Sequence, residues 1–144
     1  KAIELFNQGR VQDAISALQN DQSFNAKLLL IKLYLHDRQV ENATKAYDQF
    51  DDEQKQNEQA KIIKITLDLF DIGHKSKNEA LQNAIESCLT NDPVEGVDKL
   101  LSVLSVSKDS DKDETKKALI VAFNLIDDSK MVSQFRRKMA SLIF

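Results

Sequence analysis

The chain has 144 residues, of which 42% are apolar and 30% charged, a composition that folds and excludes a disordered segment. Net charge is −3, so nothing draws the whole chain toward nucleic acid or anionic lipid, and neither is expected as a partner. Three Gly and one Pro are too few for the turns of a strand-rich fold, and a single Cys excludes an internal disulfide and a cysteine zinc site.

Apolar residues recur at helical spacing almost throughout. Ala2, Ile3, Leu5 and Phe6 begin a short helix, and Gly9 lets the chain turn. Val11, Ala14, Ile15 and Leu18 then form one stripe at i, i+3, i+4, i+7. The stretch 24-FNAKLLLIKLYLHD-37 is apolar over most of its circumference, as a helix covered on two sides requires. A fourth helix carries Val40, Ala43, Tyr47 and Phe50. The segment 51-DDEQKQNEQAKIIKITLDLFDIG-73 reads as one helix, acidic at its start, with Ile63, Leu67 and Phe70 inward and Gly73 as its stop. In 78-NEALQNAIESCLTN-91, Leu81, Ala84, Ile85, Cys88 and Leu89 share a wide face. At 92-DPVE-95 the pattern predicts Asp92 as N-cap, Pro93 as first helical residue and Glu95 reaching back to the cap. Val97, Leu100, Leu101 and Leu104 follow as an inward face. The polar stretch 107-SKDSDKDE-114 reads as a solvated loop, and two closing helices are expected at about residues 114–127 and 129–143.

Three stretches align internally: 9-GRVQDAISAL-18, 38-RQVENATKAY-47 and 91-NDPVEGVDKL-100. Each places a small residue (Ala14, Ala43, Gly96) four positions before a bulky one (Leu18, Tyr47, Leu100). Two helices approach closely only where one offers a side chain no larger than a methyl, and the bulky residue fills the next groove. This pattern resembles the tetratricopeptide repeat, with Ala2, Ile31 and Ala84 as the first-helix partners. Ile31 is larger than the usual residue, and Pro93 replaces the usual aromatic. The spacings of 29 and 53 residues depart from a repeat of about 34. The resemblance implies an all-α fold: a short right-handed α-solenoid of degenerate helix hairpins with two closing helices, residues 1–144 forming a single repeat domain; a plain helical bundle, which also places small residues where helices cross, is the alternative.

The ending, 118-ALIVAFNLIDDSKMVSQFRRKMASLIF-144, is similar to the close of the thioredoxin-like YbbN-type proteins, or chaperedoxins. The elements that match are Phe123, the turn 127-DDSK-130, Phe135-Arg136-Arg137, Ala140-Ser141-Leu142 and Phe144. The resemblance implies the repeat region of a holdase or co-chaperone, binding unfolded clients or ATP-dependent chaperones, with a thioredoxin domain expected upstream of Lys1; a cytoplasmic location is expected because no signal peptide and no membrane-length apolar run is visible. The start on Lys rather than Met fits that expectation. The alternative reading is a structural adaptor with one fixed protein partner.

Met131, Phe135, Met139 and Leu142 are expected to seal the end of the core, with Arg136, Arg137 and Lys138 largely on the other face. Two readings stand: a capping helix with a solvated basic face, or a docking helix whose partner-binding residues are Arg136, Arg137, Lys138, Leu142, Ile143 and Phe144. Helix phase places Lys27, Lys32 and Tyr34 as candidate groove lining. The carboxylate clamp of some tetratricopeptide modules is not met, because Leu28, Lys32, Leu81 and Ile85 stand at its places. Cys88 reads as a buried structural thiol. His36 and His74 are isolated from each other and from carboxylates at ligand spacing, so no metal or cofactor is expected. No nucleophile–base set, phosphate loop or paired-carboxylate motif suggests an enzyme.

Overall fold

The computed structural model describes residues 1–90 and 92–143, and among them it contains helices and no strands. The helices are α1 (Ala2–Asn7), α2 (Val11–Leu18), α3 (Phe24–His36), α4 (Val40–Asp48), α5 (Asp52–Lys55), α6 (Glu58–Lys75), α7 (Glu79–Thr90), α8 (Pro93–Val106), α9 (Asp109–Ala122) and α10 (Ser129–Ile143), with a 3-10 turn at Phe123–Leu125. The all-α class is the one expected from the apolar spacing, and the helix hairpins are those expected from the repeat resemblance. Packing divides the chain into two units, Lys1–Lys64 and Ile65–Phe144, with the boundary inside α6.

In the first unit, α1 packs on α2, α2 on α3 and α3 on α4. The α1–α2 and α3–α4 turns are the same structure 29 residues apart. Arg10 N–H donates to Leu5 O, and Gln39 N–H donates to Tyr34 O, each at 2.8 Å. Gly9 and Arg38 sit between them in the left-handed region, at φ 77° and 63°. This geometry satisfies the last carbonyls of the leading helix and sends the chain back along it. The internal repeat read from Ala14 and Ala43 is therefore present in the backbone. Both alanines are fully buried. Ala2, Ile15, Leu18, Ala26 and Leu33 surround Ala14, while Phe24, Tyr47 and Phe50 stack edge to face nearby, with centroids 5.1 and 5.8 Å apart.

The segment expected as one helix over 51–73 is two. Asp51 and Gln54 form a reciprocal capping box around α5, Gln54 N–H donating to Asp51 Oδ1 at 2.7 Å and Asp51 N–H to Gln54 Oε1 at 3.0 Å. After this single turn, Asn57 Oδ1 accepts from the Gln59 and Ala60 amides and starts α6 afresh. Gly73 does not stop α6, which continues to Lys75.

In the second unit, α7 and α8 make the most extensive helix–helix contact. Asp92 Oδ1 accepts from Val94 N–H at 2.9 Å and Pro93 is the first helical residue, as its fixed φ favours. Glu95 does not close a capping box; its Oε1 lies 3.5 Å from Lys99 Nζ. Asn91, the first residue of the third aligned stretch, lies outside the described residues. Gly96 is buried directly on the α7 backbone. A Cβ there would stand 2.5 Å from both Cα and N of Cys88, and nearer still to its Sγ. The nearest neighbour of Gly96 is thus Cys88, one turn beyond the expected Ala84. Ala84 is itself buried, 2% exposed. Val97, Leu100, Leu101 and Leu104 point into the core, together with Leu69, Leu81, Leu119 and Phe123.

The solvated loop expected over 107–114 is only Ser107 and Lys108 long. Helix α9 begins at Asp109, with Asp109 and Asp111 in its first turn, where the helix dipole favours negative charge. The Thr115 hydroxyl donates to Asp111 O at 2.7 Å, so this fully buried side chain is satisfied within its own helix.

Substitution of the three glycines by Ala separates their roles in urea unfolding. Gly96→Ala loses about 1–3 kcal/mol, because backbone atoms of Cys88 cannot rotate away. Gly9→Ala loses about 1 kcal/mol although open space surrounds it, through its left-handed backbone alone. Gly73→Ala gains about 0.5–1 kcal/mol, since its nearest neighbour, Ile85 Cδ1 at 3.6 Å, is at ordinary contact distance.

Candidate functional site

Helix α10 is started by Asp128, whose Oδ1 accepts from the Lys130 and Met131 amides at 3.0 and 3.1 Å. It packs mainly on α8. Val132, Phe135, Met139, Leu142 and Ile143 rest against the core, yet no residue of α10 is fully buried. Met131, expected in this stripe, is half-buried but lies outside that packed set, with Val132 in its place.

Arg136, Arg137 and Lys138 are all exposed, but they do not share one face. Three consecutive helical residues fan out at roughly 100° intervals. Arg136 leans onto the buried ring of Phe123, its guanidinium carbon 5.0 Å from the centroid, a cation–π contact worth about 0.5–1 kcal/mol. Arg137 points away from the stripe, its Nε donating to Ser133 O at 3.5 Å. Lys138 borders the stripe on the side opposite Arg136. Leu142 and Ile143 are half-buried, and Phe144 lies outside the described residues.

The groove candidates sit on α3. Lys27 and Tyr34 are both half-buried and seven residues apart, hence on one face, where Tyr34 packs against the first unit's core. Lys32 is exposed and lies roughly 140° around the axis from Lys27. Its Nζ donates to Gln59 Oε1 at 2.6 Å. Only two of the three therefore share a face. At the clamp positions Leu28, Leu81 and Ile85 are buried, leaving Lys32 as the one exposed polar side chain among them.

A feature not anticipated from the sequence is an open recess of about 500 Å³ between the start of α7 and the α8–α9 turn. Ala80, Val103 and Val106 line it with Lys108, and Asn78 Nδ2 donates to Asp111 Oδ2 at 3.3 Å beside it. Val106 is 77% exposed. The signal was the single apolar residue left at the end of the α8 pattern, masked by the reading of 107–114 as loop.

Among the described residues no three His, Cys, Asp or Glu side chains gather as a metal site, and no helix is long and apolar enough to cross a membrane. His36 stacks edge-on against Phe6 at 4.8 Å, and His74 is exposed. Cys88 is 3% exposed, and burial pushes its thiol up to about 11.

A family model described as tetratricopeptide repeat matches residues 66–144, which takes in the α7–α8 hairpin with its Gly96 contact and continues through α10. The chain belongs to the tetratricopeptide repeat family. No curated protein and no solved structure gives a significant match. Tetratricopeptide repeats generally mediate protein–protein interaction.

The Cys88 environment sets a pH dependence. The folded thiol stays protonated to about pH 11, while the unfolded one ionises near 9.0. The unfolded state then binds fewer protons between those values. Stability is fully present below pH 9 and declines as pH rises toward 11, a decline that Cys88→Ala removes in urea titrations. At pH 8 the native thiol resists a disulfide reagent until denaturant is added.

Proposed function

We propose that this chain is the tetratricopeptide region of a thioredoxin-like holdase or co-chaperone, acting in the cytoplasm. It binds segments of unfolded clients, or an ATP-dependent chaperone that receives them, by noncovalent contact and without turnover. The observation that carries the reading is α10. It is a helix whose apolar stripe rests on the core with no residue fully buried and with cations exposed around it. A helix serving only as a core cap gains nothing from leaving that stripe accessible, since each fully buried large apolar side chain contributes about 1.5–3 kcal/mol. The similarity of 118–144 to the chaperedoxin ending supports the same assignment. On that reading, residues 1–144 act as one repeat domain that follows a thioredoxin domain, and any redox chemistry belongs to that domain.

Purified protein is expected to suppress aggregation of several unrelated denatured clients, measured by light scattering. Removal of residues 140–144 weakens capture of a purified ATP-dependent chaperone, while helicity by circular dichroism falls only by the deleted turn. Unchanged capture would remove α10 from the binding surface. Tight capture of a single partner, without suppression for any client, would assign the protein instead as an adaptor.

A further inference from the structure

We propose that the edge of α10 formed by Met131, Leu142 and Lys138 docks an acidic, apolar segment of a protein partner. The inference rests on the interaction reading above and specifies the partner's chemistry.

Charge is the first argument. Helix α10 carries Lys130, Arg136, Arg137 and Lys138 and no Asp or Glu, within a chain of net charge −3. Elsewhere, Lys45, Lys75, Lys99 and Lys116 each lie within 3.5 Å of a carboxylate one turn away on their own helices. Among the described residues, the α10 cations have no carboxylate. Arg136 meets the Phe123 ring and Arg137 a main-chain carbonyl. Four cations thus stand on one helix that carries no acid, unpaired with any carboxylate among the described residues.

Geometry selects which cation matters. At roughly 100° per residue, Lys138 falls within about 20° of Met131 and 40° of Leu142 around the helix axis. Arg137 falls roughly 140° from Leu142, on the far side. Met131 lies outside the set packed against the core, and Leu142 rests on that core with part of its surface exposed. Lys138 thus stands beside an apolar edge that its own domain does not finish covering. A ligand seated there needs apolar side chains for Met131 and Leu142 and a carboxylate for Lys138.

The same edge chemistry could meet an anionic lipid surface, but the chain's overall charge disfavours it. A membrane confronts the whole negatively charged molecule, whereas a peptide segment confronts α10 alone. Charge complementarity therefore points to an acidic protein segment.

The test uses the full chain and a fluorescein-labelled peptide with glutamates and leucines at helical spacing, read by anisotropy. Lys138→Glu and Arg137→Glu make the same charge change at adjacent exposed positions. Lys138→Glu is expected to weaken binding about tenfold and Arg137→Glu less than about twofold. Replacing the peptide's glutamates by glutamines should also weaken binding about tenfold, and raising salt should narrow that gap. Thermal unfolding checks that both variants are folded, and Lys138→Gln provides a milder substitution at the same place. Equal losses at Lys138 and Arg137 would show unspecific attraction and overturn the proposal. So would binding to phosphatidylserine–phosphatidylcholine vesicles with none to the peptide. Loss of peptide binding with client protection intact rejects this edge alone, whereas absence of both rejects the chaperone reading as well.

Discussion

At Gly96, α8 lies against the main chain of Cys88 with no side chain between them, and the second unit is arranged around that contact. With no Cβ between them, α8 lies directly on the α7 backbone, which brings Leu81, Ala84 and Ile85 of one helix against Val97, Leu100 and Leu104 of the other in a continuous buried cluster. Dispersion falls steeply with separation, so a gap of even half an ångström across such a crossing would forfeit a substantial part of the contact energy. The same approach explains the Cys88 thiol. It is covered from the side by a helix that has no side chain of its own at that point, so water is excluded and the thiolate is disfavoured. Packing, hairpin register and thiol chemistry are three consequences of one missing methyl group.

The first unit solves the same problem with a methyl left in place. Ala14 and Ala43 are fully buried, and their two hairpins share one turn geometry despite different residues at the left-handed position. Gly9 adopts φ 77° without steric cost, whereas Arg38 at 63° carries a local penalty of about 1–2 kcal/mol. That penalty is borne because the turn satisfies the α3 carbonyls and returns α4 across α3, burying Ala43, Tyr47 and Phe50. The repeat is therefore conserved within the chain as a backbone conformation more strictly than as a residue pattern. This is how a degenerate array keeps its geometry while its signature residues drift.

What could be read beforehand follows from which forces leave a periodic trace. Amphipathic faces do, and α2, α4, α7 and α8 stand where Val11, Val40, Leu81 and Val97 begin their stripes. Caps built from residues adjacent in sequence do too, as at Asp92 and Pro93. The break at Gln56–Asn57 leaves no such trace, because Gln, Asn and Glu serve a helix or a turn equally. What decides it is the Asn57 side chain accepting two amides of the next helix. The start of α9 was hidden for a related reason. A run of Asp and Lys has no apolar period, and only Thr115, polar and yet fully buried, marks it as packed. Gly73 was misleading because propensity alone cannot tell a stop from a glycine inside a long helix. Within α10, the apolar stripe was legible to within one residue. The fanning of three adjacent cations follows from helix geometry and was obscured by treating them as a block.

That fanning governs what α10 can do. If the three cations shared a face, the helix would present a greasy side to the core and a charged side to water, and nothing further would be asked of it. Instead Arg136 and Lys138 bracket the stripe, and only Arg137 is given wholly to solvent. Arg136 is already engaged on Phe123, so one flank is tied down, while on the other Lys138 is exposed beside Met131 and Leu142, which are only partly covered. An exposed ion pair contributes about 0.2–1 kcal/mol, less than an apolar side chain gains on full burial. On the proposed docking, the apolar edge is the source of affinity for a partner. The lysine beside it chooses among apolar segments, favouring those that bring a negative charge and orienting them along the helix. On that proposal, a repeat protein of overall negative charge keeps a local preference for acidic segments, confined to the border of one helix.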